Sequence, residues 1–289
     1  MSAEVTARRD GGSWRLYRLR RVPTYFFLTV WSAFTIVCLS YVILGSFKTQ
    51  RELLRFPWDW PQALNLKNFA HAWTVAKLDL YLINSTLVVA GAVLVILIVS
   101  APAAYVLSRG TFRFRHGLTT YLILGMGIPI PLLYIPLFAL FSQLGLANNL
   151  FGLGLAFVVT SIPFTTYLLT GFFSGVPSAI GDAATMDGAT DWQKFAHVYL
   201  PLGRSGLITA AIFNTIWLWN EYQLTIVLVT DQDKKTLPLG LFALQSATQY
   251  SGNWTQLYAG VTIVVVPTLV AFIVLSEKMI AGMTAGAVK

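Results

Sequence analysis

Val176-Pro-Ser-Ala-Ile-Gly-Asp-Ala-Ala-Thr-Met-Asp-Gly-Ala-Thr-Asp-Trp-Gln-Lys-Phe-Ala-His-Val-Tyr-Leu-Pro201 is a polar interval between two strongly apolar segments, and it carries helix signals of its own. Pro177 or Ser178 opens a short helix holding Asp182, Ala183 and Ala184. Asp187-Gly188 ends it, because glycine enters the left-handed conformation without steric cost. A second helix starts at once. Thr190-Asp-Trp-Gln193 reads as a capping box, in which the hydroxyl and the amide satisfy backbone N–H groups of the first turn, and Pro201 is expected to close the helix. Trp192, Phe195, Ala196 and Tyr199 are spaced i, i+3, i+4, i+7 and form one apolar stripe that a partner groove can receive. Two short helices, a hinge and a free apolar face make a docking element.

The flanking segments determine what is being docked. Of the 289 residues 56% are hydrophobic and 11% charged, with a mean hydropathy of +0.65. So few charges cannot cover a soluble globule of this length, and lipid is the main solvent. The one cysteine, Cys38, excludes a disulfide framework and any multi-cysteine metal site. The net charge of +8 is spread over short loops and flanks rather than gathered on one amphipathic face. It reads as positive-inside anchoring and not as nucleic-acid binding.

In chain order, residues 1–24 form a basic tail with Arg8, Arg9, Arg15, Arg18, Arg20 and Arg21, placed in the cytoplasm. Residues 25–47 are a first span, long enough for the roughly 30 Å hydrocarbon core and too long for a signal peptide's apolar region. Residues 48–80 are expected to be an external loop, with Phe56-Pro-Trp-Asp-Trp-Pro61 an aromatic corner at headgroup level. Residues 81–280 make a core domain of five further spans. The second runs from about Tyr81 to Leu107, opening on Asn84-Ser85, and Arg109, Arg113 and Arg115 follow it on the cytoplasmic side. The third, about Leu118 to Phe141, contains Gly125, Gly127, Pro129, Pro131 and Pro136 and is expected to be kinked or unwound, either to line a pathway or simply to pack. The fourth, about Leu150 to Phe173, is expected to be interrupted at Pro163, and it delivers the chain to the docking loop 176–201. The fifth covers about Leu207 to Val229. Asp231 to Gln256 reads as a second external loop, whose stretch Gln245 to Trp254 is a candidate contact for an external partner. The last span, about Leu257 to Leu275, is expected to break at Pro267. Residues 281–289 return as a cytoplasmic tail, so six spans put both termini on one side.

The fifth span carries Asn214, Trp217, Asn220 and Glu221, the first, second and fourth on one helical face and Asn220 at its edge. An acid within a span costs about 3 kcal/mol, so Glu221 must face protein or water. The group either lines a pathway, where Trp and Asn would stack on and hydrogen-bond a sugar, or bonds helices together.

The docking stretch resembles the EAA loop of permease subunits of ATP-binding-cassette importers. Asp182-Ala183-Ala184 stands for the acidic-Ala-Ala head, Gly188 falls at the family's glycine, and Val198-Tyr-Leu200-Pro201 completes the tail. Asp182 replaces the family's Glu, and Val198 its Ile. Asn84-Ser-Thr, Ala104 to Arg115, Trp219-Asn-Glu-Tyr222, Thr236-Leu-Pro-Leu-Gly240 and Thr284-Ala-Gly-Ala-Val-Lys289 are similar to the maltose-type, carbohydrate branch. The resemblance implies an all-α integral membrane protein of six transmembrane helices, a type I importer permease in the cell membrane. It implies partners: a second permease subunit completing a heterodimer, a homodimeric ATPase and an extracytoplasmic sugar-binding protein. This chain would then bind no cofactor, with ATP and Mg2+ held by the ATPase. The coupling residues would be Asp182, Ala183, Ala184, Asp187, Gly188, Ala189, Trp192, Phe195, Val198, Leu200 and Pro201. A polyol, a glycerophosphodiester or an oligosaccharide are alternative cargoes for the same machine.

The chain carries no chemistry for ATP itself. Gly45-Ser-Phe-Lys48-Thr49 has the wrong spacing for a phosphate-cradling loop. His71, His116 and His197 lie in separate loops and suggest neither a metal site nor a nucleophile pair. A stand-alone secondary transporter is the remaining alternative, and Glu221 is the one acid within a span that could couple to an ion.

Overall fold

The computed structural model describes the backbone of residues 11–266, 268 and 269, and side-chain surroundings from Val22 onward. Residues 1–10, the expected break at Pro267, the end of the last span and the tail 281–289 lie outside the described residues. The described chain is helical throughout. It comprises α1 (Gly11–Ser46), α2 (Gln50–Arg55), α3 (Lys67–Ala70, continued by a π turn His71–Val75), α4 (Leu78–Arg109), α5 (Arg115–Met126), α6 (Ile130–Gln143) and α7 (Leu150–Ser174). These are followed by α8 (Ser178–Met186), α9 (Asp191–Lys194, continued by a π turn Phe195–Tyr199), α10 (Leu200–Leu202), α11 (Arg204–Trp219), α12 (Gln223–Leu228) and α13 (Leu237–Ser251), and then by α14 (Trp254–Val266).

Among the described residues three helices are long and apolar enough to cross a membrane: Val22–Ser46 within α1, α4 and α7. The pair α5 and α6 bends by 98° at the break between them, so the third apolar segment is unwound in its middle as its glycines and prolines predict. Pro163 and Pro102, by contrast, sit inside α7 and α4 without ending them. The expected interruption of the fourth segment is therefore absent, since neighbouring helices and Ser/Thr hydroxyls tolerate a missing backbone donor. The fifth segment breaks as well, with α11 ending at Trp219 and α12 starting at Gln223.

α4 and α7 form the spine and run parallel. Val88 lies beside Gly154 near their N-termini, and the Arg109 side chain reaches the carbonyls at the end of α7. Their seam, with α11 and α12, buries Val89, Ile96, Leu153, Phe157, Leu218, Leu224 and Leu228. The outward faces stay apolar, as in α1, where Phe26, Phe27, Trp31 and Phe34 are exposed. A helix can present such a face where lipid is the solvent.

Both expected external loops are more structured than their composition suggests. In residues 48–80 the buried Lys48 donates from Nζ to the carbonyls of Phe56 and Pro57, both at 2.9 Å, which fixes the aromatic corner while Trp58 and Trp60 remain exposed. Asn68 donates to the carbonyls of Ser46 and Lys48. The expected loop 231–256 is mostly the helix α13. Thr236 stands at its N-cap and Pro238 in its first turn, where the missing N–H of proline costs no helical hydrogen bond. Its start is clipped to α4. Ser85 Oγ accepts from Leu237 N at 2.7 Å, and Asn84 Nδ2 donates to the carbonyls of Asp233 and Lys235.

Candidate functional site

Two features stand out, one at the Arg109 end of the spine and one at its mid-height. The first is the stretch 176–201. Pro177 precedes α8, whose end is a Schellman motif: Gly188 N donates to Thr185 O at 3.0 Å and Ala189 N to Ala184 O at 2.9 Å, with Gly188 at φ +81°. The capping box at Thr190 and Gln193 is formed in both directions. Lys194 Nζ bridges the two helices, 2.7 Å from Asp191 Oδ1 and 3.1 Å from Thr185 Oγ1. The bond to Asp191 raises the lysine's pKa.

Pro201 does not close the second helix. A π turn over Phe195–Tyr199 precedes it, and Gly203 N bonds Tyr199 O beyond it. The wider turn accommodates a residue that lacks a donor and crowds the preceding turn. The chain therefore passes almost directly into α11.

The apolar stripe is divided. Phe195 and Tyr199 are buried in their own chain against Tyr105, Ala104, Leu169 and Phe173, and Val198 and Leu200 pack at the edge of that cluster. Neither Phe195 nor Tyr199 is free to fill a partner groove, because the ends of α4 and α7 already occupy that face. What remains outside is Trp192, 67% exposed, with Met186, 90% exposed, and Ile180. Asp182, Ala183, Asp187, Asp191 and Pro201 are exposed as well, while Ala184 and Ala189 are half-buried. A shallow depression of about 310 Å³ lies over Asp187, Gly188, Ala189, Gln193, His197 and Val198.

The second feature is a cavity of about 650 Å³ between the α5–α6 break, the middle of α7 and the end of α11. Asn214, Trp217, Asn220 and Glu221 all line it, together with Thr160, Ser161, Phe164 and Phe213. Their roles differ. Asn214 is buried and donates to Thr165 Oγ1 at 2.9 Å and Ala210 O at 2.8 Å, so it bonds α11 to α7 as well as facing the cavity. Asn220 bonds Ile216 O. Glu221 is not inside a helix; it sits in the break and accepts from Leu224 N at 2.7 Å, capping α12. Trp217 is exposed. Phe164 and Phe213 meet edge to face, a pair that sequence spacing did not single out because its members lie on different helices. Among the described residues no cluster of His, Cys, Asp and Glu suits a metal ion.

A bundle of long apolar helices around a largely apolar cavity that holds a few amide, hydroxyl and carboxylate groups suits a membrane permease. Residues 96–277 match the family model described as binding-protein-dependent transport system inner membrane component, and the chain belongs to that family. It is a transport subunit of a binding-protein-dependent system and not an enzyme. The chain is 36% identical over 259 residues to the diacetylchitobiose uptake system permease protein NgcG of Streptomyces coelicolor, covering 90% of this chain and 86% of that one. It is 30% identical over 250 residues to the sulfoquinovosyl glycerol transport system permease protein SmoH of Agrobacterium fabrum, covering 86% and 87%. Among solved structures, a chain of a bacterial ABC transporter involved in the import of the acidic polysaccharide alginate superposes with a TM-score of 0.77 at 22% identity, over 95% of this chain and 99% of that one. The two chains share one fold over nearly their whole length.

Proposed function

We propose that this chain is one of two different permease subunits of an ATP-driven sugar importer. In this reading it crosses the cell membrane six times with both termini in the cytoplasm, the fifth crossing being α11 and α12 together and the last beginning with α14. A homodimeric ATPase carrying ATP and Mg2+ docks on residues 176–201, and an extracytoplasmic binding protein delivers the sugar. Relatives named for diacetylchitobiose and sulfoquinovosyl glycerol support a glycoside as cargo.

The observation that carries the reading is the two-sided docking loop. One side is locked to α4 and α7 by Phe195 and Tyr199, and the other presents Ile180, Met186 and Trp192 among Asp182, Asp187 and Asp191. A groove with an apolar floor and basic rim suits that surface. Asp182 meets the rim, Ala183 and Ala184 allow close approach, and Gly188 sets the angle between the helices. Val198, Leu200 and Pro201 hold the loop's far end. ATP drives transport only if the closed ATPase pairs better with the outward-open permease, so the loop must carry that difference in binding into the spine.

The cavity lined by Asn214, Trp217, Asn220 and Glu221 is this chain's share of the pathway. Its volume lies in the range of small-ligand sites, and it offers aromatic faces beside amide and hydroxyl groups. Glu221, engaged as a helix cap, argues against an ion-coupled secondary transporter. The test is coexpression with the neighbouring genes, purification, and ATP hydrolysis in lipid with and without binding protein loaded from a panel of sugars. A copurifying ATPase whose turnover rises only with one loaded sugar supports the importer and names its cargo. A chain that purifies alone and moves solute on an ion gradient refutes it.

A further inference from the structure

Beneath the docking loop lies a contact that the motif of acidic residue, alanines, glycine and Leu-Pro does not include. Arg109, the last residue of α4, extends its guanidinium under the end of α7. Its Nη2 donates to Phe173 O at 2.6 Å, to Ser174 O at 3.4 Å and to Val176 O. Phe173 O and Ser174 O belong to the last turn of α7 and Val176 O lies just beyond it, a negative helix end where a cation is favoured. The guanidinium carbon also lies 5.1 Å from the centre of the Tyr199 ring, within cation–π range. Tyr199 in turn meets Tyr105 of α4, ring centres 5.1 Å apart. Tyr105 meets Phe195 at 5.4 Å.

The far side of Tyr199 touches the docking helix. A Cβ at Gly181 would stand 2.3 Å from the Tyr199 hydroxyl oxygen and 3.2 Å from the ring carbon that bears it. Gly181 is thus the point where α8 rests on the tyrosine, directly before Asp182. One continuous stack runs from the end of α4 through Arg109 and Tyr199 to Gly181 of α8, with α7 tied in by its carbonyls.

We propose that Arg109, Tyr199 and Gly181 are positioning residues for energy coupling. They form a bracket that makes the docking loop move as one body with α4 and α7, so that force applied at the loop reaches the helices around the cavity. This rests on residues 176–201 being the ATPase contact. Gly181 and Tyr199 are buried beneath the exposed docking surface and the bracket does not line the cavity, so its failure should leave docking and basal ATP hydrolysis in place while transport is lost. Lysine reproduces Arg109 only in part, because its compact ammonium lacks the extended guanidinium that places Nη2 on the carbonyls while its carbon lies over the Tyr199 ring.

The experiment compares wild type, Arg109→Lys, Gly181→Ala, Tyr199→Phe and the double change Gly181→Ala with Tyr199→Phe, each assembled with its partner subunits in proteoliposomes. Copurified ATPase, basal hydrolysis and sugar moved per ATP are read for each. Wild type that copurifies with an ATPase and transports on ATP establishes the underlying reading independently of the bracket. Arg109→Lys and Gly181→Ala are then expected to keep the ATPase and basal turnover while sugar moved per ATP falls by about 5- to 150-fold, the span of ordinary coupling energies. Removing the hydroxyl in Tyr199→Phe leaves the Gly181 Cβ facing only the ring, so the double variant is expected to recover most of the ratio. A wild-type ratio in Arg109→Lys and Gly181→Ala overturns the bracket. So does an equal loss of assembly and transport that Tyr199→Phe fails to rescue, because the stack would then serve folding alone.

Discussion

Gly188→Leu tests the hinge of the docking loop most directly. Gly188 has φ +81°, and a Cβ built on it meets nothing within 4 Å. The penalty is therefore conformational rather than a clash: about 1–2 kcal/mol for an L residue held in the left-handed region. That corresponds to roughly a 5- to 30-fold lower population of the observed loop geometry. The two hydrogen bonds of the Schellman motif, Gly188 N to Thr185 O and Ala189 N to Ala184 O, depend on the same dihedral and go with it. Gly188→Asn should be milder, since asparagine adopts this conformation more readily than leucine. With the transporter in lipid, ATP hydrolysis stimulated by the loaded binding protein should fall by about 5- to 30-fold in Gly188→Leu. Basal hydrolysis should change far less and the protein should stay in the membrane. Stimulation at the wild-type level in Gly188→Leu, or equal damage from Asn and Leu, would refute the reasoning that loop angle sets coupling.

Three further outcomes follow from the geometry. Glu221→Gln keeps an oxygen to accept from Leu224 N, whereas Glu221→Leu does not; ATP-driven uptake should survive the first and fail in the second, and failure in both would point to the charge itself. Asn214→Leu breaks the bond to Thr165, a loss of about 0.6–1.7 kcal/mol in a membrane interior, and should lower the melting temperature of the purified complex; combined with Thr165→Val the effect should be less than additive. Tyr250 is 94% exposed at the end of α13, so Tyr250→Ser should weaken stimulation by the binding protein without altering basal hydrolysis, and an equal loss of both would remove α13 from that contact.

Local signals were legible wherever the partner groups are close in the chain. The hinge at Gly188, the capping box at Thr190 and Gln193, the apolar segments and the break among Gly127, Ile128 and Pro129 all follow from interactions over a few residues. Asn214, Trp217, Asn220 and Glu221 could be grouped because they fall within little more than two helical turns. The sequence by itself thus determined the long apolar segments, the solvent they require and the position of the docking hinge. It did not reveal that α13 is a helix, since Ser, Thr and Gln also suit loops, and its start is held by the clip to Asn84 and Ser85 on α4 and by Leu237 buried against Leu78 and Tyr81. Nor did it show that Phe195 and Tyr199 are covered while Trp192 is free, because a helical stripe looks the same whichever neighbour buries it. Arg109 read only as one basic residue in a short loop; its role emerges from carbonyls up to 67 residues away. Tertiary structure decided these points because burial and long-range hydrogen bonding depend on which surfaces meet, and pairs so distant leave no period in the chain.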